Sequence, residues 1–304
     1  MADSKQAYDL EQLKARIYRA ELPDDIGPIR QLLEEYSGIP AQEASAHIHA
    51  VRDKMWAVKP YTCIGTLRFL SLAFVDDPHY QAALVRLRAP GSTAKFLDMA
   101  CCVGQVLRHL AWSGVAPSRL YGADLECPFI EAGFELFRDR DAAFGREATL
   151  VVGDALAEAE GTGGGGDPAL AVLDGQISIV HASAFFHLFT WTDQVVAAKR
   201  VVRFFRKEAS VGAGADGDGD GDGKGAMIFG RQVASTSPRE IVGVRGERRF
   251  LHDGASWQRL WDEVGEATGT RWRTEVEMEG VEEGQTDHLA DVSTRRMNFV
   301  CFKL

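Results

Sequence analysis

The chain has 304 residues, of which 45% are hydrophobic and 26% charged, the make-up of a globular protein with room for a large core. Its formal charge of −10 argues against a nucleic-acid partner or an anionic membrane surface, since both are held largely by Lys and Arg neutralising phosphates. The start, Met1 to Gln6, is polar and no apolar run reaches bilayer length, so a cytoplasmic location is expected. The five cysteines, Cys63, Cys101, Cys102, Cys127 and Cys301, are odd in number and lack paired spacing, so neither a disulfide framework nor a metal site is expected.

In chain order, helices are expected over 5–19, 29–36 and 41–58, the last opened by Pro40 and closed before Lys59-Pro60. Residues 61–75 are apolar and aromatic with Arg68 as a lone charge, and a further helix is expected over 78–87. Residues 1–90 thus read as a helical cap, or substrate lid, on a second part spanning 91–304, the two forming one integrated unit. From Lys95 onward short apolar runs alternate with helical stretches, the pattern of a parallel α/β sheet. Strands are expected at 95–99, 119–123, 148–152, 177–182, 226–233, 271–278 and 297–303, with helices near 105–113, 128–138, 192–207 and 255–268. The expected fold class is therefore α/β: a seven-stranded, mostly parallel, doubly wound Rossmann-like sheet, its last two strands pairing as an antiparallel ribbon at the edge. Two glycine-rich insertions, 161–167 and 210–225, cannot bury a core and read as mobile surface loops. Asp216, Asp218, Asp220 and Asp222 alternate with glycine in the second, but a calcium loop begun at Asp216 would need a carboxylate where Met227 stands.

The chemistry gathers at strand ends. Lys95-Phe-Leu-Asp-Met-Ala-Cys-Cys-Val-Gly104 reads as a buried strand, a tight turn of small residues and then a helix whose free N–H groups point at a ligand. Asp98 closes the first strand, Asp124 closes the second, Asp154 follows the third and His181 ends the fourth. All four fall at the carboxyl edge of one sheet, where open α/β sheets bind ligands. An acid after the second strand can take both ribose hydroxyls, and one after the third can accept from adenine's exocyclic amine. Each Asp taken singly also reads as a turn residue; three of them after successive strands point to a nucleoside. The turn lacks the glycines that cradle a pyrophosphate and the Lys-Ser or Lys-Thr of a P-loop, which disfavours a nicotinamide dinucleotide. Its spacing, Asp98, small residues and Gly104, is that of S-adenosylmethionine (SAM) sites, with the turn cupping the methionine end.

From about Met55 to its end, the chain resembles fungal SAM-dependent methyltransferases of secondary metabolism, most closely those of austinol-type meroterpenoid pathways. The phrases that carry the resemblance are Pro60-Tyr-Thr-Cys-Ile-Gly65 with Arg68-Phe69, the turn Leu97-Asp-Met-Ala-Cys-Cys-Val-Gly-Gln105 and Leu120-Tyr-Gly-Ala-Asp-Leu125. Gly133-Phe-Glu-Leu-Phe-Arg-Asp139 and Trp261-Asp-Glu-Val-Gly-Glu-Ala-Thr-Gly-Thr270 complete them. The resemblance implies a class I methyltransferase, often homodimeric, that esterifies a carboxylic acid of a polyketide-terpenoid intermediate and releases S-adenosylhomocysteine. Carried over by position, it implies Asp124 with Leu125 and Asp154 with Ala155 as cofactor residues, beside Asp98, Ala100, Gly104 and His181. Ala100 departs from the family, which often has glycine there.

On the substrate side, His187 is the best candidate for a base, with Arg68 and Arg231 either paired internally or facing an anionic substrate. Trp56, Tyr61, Trp191, His252 and Trp257 are candidate pocket residues, although helix packing explains the tryptophans equally well. A carboxylate nucleophile is already ionised at neutral pH and needs only orientation, whereas a phenol would profit from a base such as His187. The resemblance favours an apolar carboxylic acid. The competing readings are a phenol O-methyltransferase and a methyltransferase-like protein that binds SAM without catalysis.

Overall fold

The computed structural model describes residues 10–22, 26–157, 166–207, 225–243, 246–281 and 291–304. Both glycine-rich insertions fall largely outside them, and so does the Asp216–Asp222 run. The described strands are β1 (Phe96–Met99), β2 (Leu120–Asp124), β3 (Thr149–Val152), β4 (Ile179–His181), β5 (Met227–Ser235), β6 (Arg239–Val242), β7 (Arg248–Leu251), β8 (Trp272–Glu279) and β9 (Thr294–Lys303). Seven of them form one sheet, the number the strand pattern leads one to expect, in the order β3-β2-β1-β4-β5-β9-β8. β1 runs parallel to both β2 and β4, with Asp98 opposite Gly122 on one side and His181 on the other. β9 is antiparallel to β5 and to β8, so the closing ribbon lies against β5 through its second strand.

Alternation along the strands decides which face each side chain joins. Phe96, Leu120, Ile179, Met227 and Phe229 pack with α5 (Pro78–Arg88) and α6 (Gln105–Trp112) on one face. Leu97, Val180, Ile228 and Phe299 pack with α9 (Trp191–Phe204) and α10 (Gly254–Thr268) on the other. Side-chain caps set several helix starts: Asp77 accepts from His79 and Tyr80, Thr190 from Asp193, and Asp253 forms a capping box with Ser256. The reading from sequence leaves 239–251 unassigned, and the structure folds this stretch into a separate hairpin of β6 and β7. Its four-residue runs carry too many charges to show an apolar alternation. Between β3 and β4 the described chain forms a 3-10 segment, Pro168–Leu173, capped by Asp167.

The N-terminal helices lean on the turn after β1. Beyond α1 (Leu10–Ile17), α2 (Gly27–Gln31) with its π-helical continuation Leu32–Tyr36, α3 (Ala41–Val58) and α4 (Thr62–Gly65) contribute Leu32, Leu33, Ile48, Val51 and Ile64 to a third apolar cluster. Its other members include Val103 of the turn and Phe129, Leu136 and Phe137 of α7 (Cys127–Phe137). Gly133 lets α7 approach, because a Cβ there would lie 2.4 Å from the Val103 carbonyl oxygen. No described helix is long and apolar enough to cross a membrane.

One ion pair joins these parts. The Arg108 Nε and Nη2 donate to Asp139 Oδ2 and Oδ1 at 2.9 and 3.0 Å, and Nη1 donates to the Val103 carbonyl at 2.9 Å. Both side chains are almost wholly buried, the guanidinium lies over Phe144, and Tyr36 donates to the same carboxylate. Removing one partner strands a buried charge, so Arg108→Ala should lower the unfolding free energy by about 3–5 kcal/mol in urea titration. Lys54→Ala, which breaks the exposed pair with Glu135, should cost about 0–1 kcal/mol. Equal losses would contradict the clamp.

Candidate functional site

The turn after β1 is bent by left-handed residues. Ala100, Cys102 and Gly104 have φ of 55, 51 and 63°, a region that costs a non-glycine residue about 1–2 kcal/mol. Ala100 therefore takes the backbone shape that a glycine adopts freely, and neighbours supply the restraint. Cys101 donates its N–H to the Ala123 carbonyl at 3.1 Å, Cys102 donates to Asp124 Oδ2 at 2.8 Å, and Arg108 holds the Val103 carbonyl. Gly104 caps α6, where a Cβ would meet Arg108 Nη1 at 2.5 Å.

Asp124, at the end of β2, is nearly buried, and its second oxygen accepts the Glu126 N–H at 2.9 Å. Burial pushes its carboxyl above the usual range, against the pull of those two backbone N–H groups. Each carboxylate oxygen keeps a lone pair for a hydroxyl. After β3, Asp154 accepts the Leu156 N–H at 2.8 Å and donates its own N–H to Asp167. Asp98 accepts from His181 Nδ1 at 2.7 Å, and Nε2 of that ring lies 2.7 Å from Ser183 Oγ, which also accepts the Arg231 N–H at 3.1 Å.

These strand ends open on a cavity of about 1040 Å³. That exceeds the roughly 300–1,000 Å³ of a usual ligand pocket and leaves room for two molecules. Of the residues singled out from sequence, Ala100, Asp124, Leu125, Asp154, Ala155, His181, Tyr61, Arg68, His187 and Arg231 line it. Asp98 sits behind His181 and Gly104 beneath the turn. Four aromatic candidates stand away from the lining. Trp56 packs edge-on to Tyr18; Trp257 is fully buried between Phe186 and Trp261. Trp191 donates to Glu263 at 2.8 Å, and His252 is buried between Gln194 and Ser256. Arg231 Nη2 lies 3.0 Å from Glu279, which resolves the choice left open for it in favour of an internal pair.

Two lining residues escape the sequence reading. Arg249, almost buried on β7, went unseen with its hairpin; Gln232, 3% exposed on β5, had only the signal of an amide inside an apolar strand. The acceptors at Asp124 and Asp154 and the bent turn suit an adenosine-bearing ligand without phosphates at one end. Arg68, Arg249 and His187 bring cationic and hydrogen-bonding groups to the remaining wall, which also carries Glu247, Glu275, Glu277 and Glu279 beside Phe185, Phe189, Val276 and Phe299.

Residues 17–70 match the family model described as meroterpenoid methyltransferase N-terminal domain. Over 262 residues, covering 85% of this chain and 78% of the other, the sequence is 38% identical to O-methyltransferase phiE of a fungal species, strain ATCC 74256. It is 34% identical to the asnovolin E/chermesin D methyltransferase nvfJ of Aspergillus novofumigatus, covering 82% and 80% of the two chains. A solved phosphoethanolamine N-methyltransferase 2 of Haemonchus contortus shares the fold, with a TM-score of 0.50, 14% identity and coverage of 83% of this chain and 60% of that one.

His252 gives a pH test of its structural placement. Burial pushes its imidazole down to about 4, so it is neutral in the fold, whereas the unfolded chain takes up the proton near 6.5. Its contribution is complete above pH 6.5 and is lost as pH falls towards 4, a difference on the order of 3 kcal/mol. Urea unfolding at pH 7 and pH 4.5 should show a larger loss in the parent protein than in His252→Gln. Equal losses would place the ring in solvent instead.

Proposed function

The chain belongs to the fungal SAM-dependent methyltransferases of secondary metabolism, and we propose that it methylates the carboxyl oxygen of a small, largely apolar acid. The observation that carries this reading is a cavity with carboxylate acceptors on its strand-end wall and Arg68, Arg249 and His187 among the residues of its other walls, which also carry Glu247, Glu275, Glu277 and Glu279. A cytoplasmic, homodimeric enzyme belongs to the same reading.

Asp124 would accept from the two ribose hydroxyls, Leu125 and Ala155 would flank the adenine, Asp154 would accept from its amine, and the Ala100–Gly104 turn would hold the methionine end. When bound, SAM supplies a methyl carbon made electrophilic by its positive sulfur. The chain's own task is alignment and the exclusion of water. A carboxylate is ionised at neutral pH, so with SAM bound its oxygen would take the methyl group without a base, and S-adenosylhomocysteine would leave. Arg249 and Arg68 orient that carboxylate and His187 donates to it. Arg231 is engaged by Glu279 and shapes the wall.

Asp124→Ala should weaken SAM binding about 30- to 100-fold by calorimetry, the worth of hydrogen bonds to a charged acceptor. Unchanged affinity would sink the cofactor site. With a panel of carboxylic acids and phenols, mass spectrometry should show one methyl gained on acids, and mild base should release it. A base-stable product would make the enzyme an ether-forming one. Arg249→Ala should raise KM for the acid at least tenfold with a smaller change in kcat, and indifference would remove the anion clamp.

A further inference from the structure

Gln232 is at odds with its surroundings. It stands in the middle of β5, paired across to Met297 of β9, on the face that carries Ile228 and Ala234 into the core. Only 3% of it is exposed, yet neither Oε1 nor Nε2 has a hydrogen-bond partner among the described residues. Buried amides without partners are rare in folded proteins, because the desolvated donor and acceptor gain nothing in return. This one lines the cavity, together with His187 and Arg249. A buried amide without a partner among the described residues, set beside a ligand cavity, is matched to something that arrives there.

The chemistry of the amide narrows what that is. A primary amide presents donors and an acceptor side by side. A carboxylate, which only accepts, would satisfy Nε2 and set its negative charge against Oε1. An alkyl or aryl surface would satisfy neither atom. A hydroxyl accepts from Nε2 and donates to Oε1 at once. We propose that Gln232 binds a substrate hydroxyl other than the oxygen that is methylated, so that the enzyme selects hydroxylated acids over their deoxy counterparts. This rests on the carboxyl-methylation reading above. Gln232 is thus a specificity residue, set beside the arginines that take the carboxylate.

The test pairs hydroxynaphthoic acids, in their positional isomers, with the parent naphthoic acids as substrates of the full chain with SAM. A site built to bond a hydroxyl rejects the analogue lacking it far more strongly than an apolar pocket senses one methylene. At least one hydroxylated isomer should therefore exceed its parent about 100-fold or more in kcat/KM. In Gln232→Leu that ratio should collapse towards one, mainly through KM, and Gln232→Glu, which keeps an acceptor for the hydroxyl, should restore part of it. Equal turnover of the pairs by the parent enzyme, as when only water occupies the amide, overturns the proposal, and so does a ratio that survives in Gln232→Leu. A second readout needs no substrate. If no bond is lost, the ligand-free Gln232→Leu protein should unfold at an unchanged or higher temperature; a fall of several degrees shows an amide bonded within the fold and overturns the proposal. Methylation of phenols but of no acid would refute the carboxyl reading instead, leaving the unfolding temperature to decide the status of Gln232.

Discussion

The buried Arg108 guanidinium donates to both Asp139 oxygens and to the Val103 carbonyl, and the shape of the β1–α6 turn depends on that third bond. A turn with alanine and cysteine at positive φ does not hold its form from local preference, as a glycine turn does. It is held from behind by Arg108, from the side by the Asp124 carboxylate on the Cys102 N–H, and from above by α7 through Gly133. Asp139 also accepts from Tyr36, so the N-terminal helices are tied to the same point. Several elements thus converge on the five residues of the turn.

The cavity is chemically divided. Its strand-end wall offers carboxylates that already bond backbone N–H groups, which suits hydroxyls and amines. Its far wall, built by the 186–188 turn, β5 and the β6–β7 hairpin, offers Arg249, His187 and Gln232 set among aromatic rings. In the proposed reading the cofactor would sit towards the strand-end wall and the substrate carboxylate towards the arginines.

Much of the fold, and which strand ends share one edge of the sheet, could be read from the residues because parallel strands end on one edge. Once 95–99, 119–123 and 148–152 are strands, Asp124 and Asp154 must stand near each other, whatever joins them. The substrate end had no such rule. Whether an aromatic residue faces a cavity or the core depends on helix rotation, and Trp257, a pocket candidate from sequence, is core. His252 is likewise consumed by Gln194 and Ser256. For Arg231 the sequence left an internal pair and an anionic substrate both open, and β8 brings Glu279 beside it from a distant part of the chain. Arg249 and Gln232 were hidden for opposite reasons, one in a short charged hairpin without periodicity and one in a strand whose apolar run makes a single amide look incidental.

The position of the transferred methyl group is the most direct test of this account. Product made with SAM bearing an isotope-labelled methyl and an aromatic acid also carrying a hydroxyl can be read by heteronuclear NMR. The account requires a coupling from the methyl protons to a carboxyl carbon through one oxygen. A coupling to a ring carbon bearing the hydroxyl oxygen, or to nitrogen or carbon directly, would contradict it.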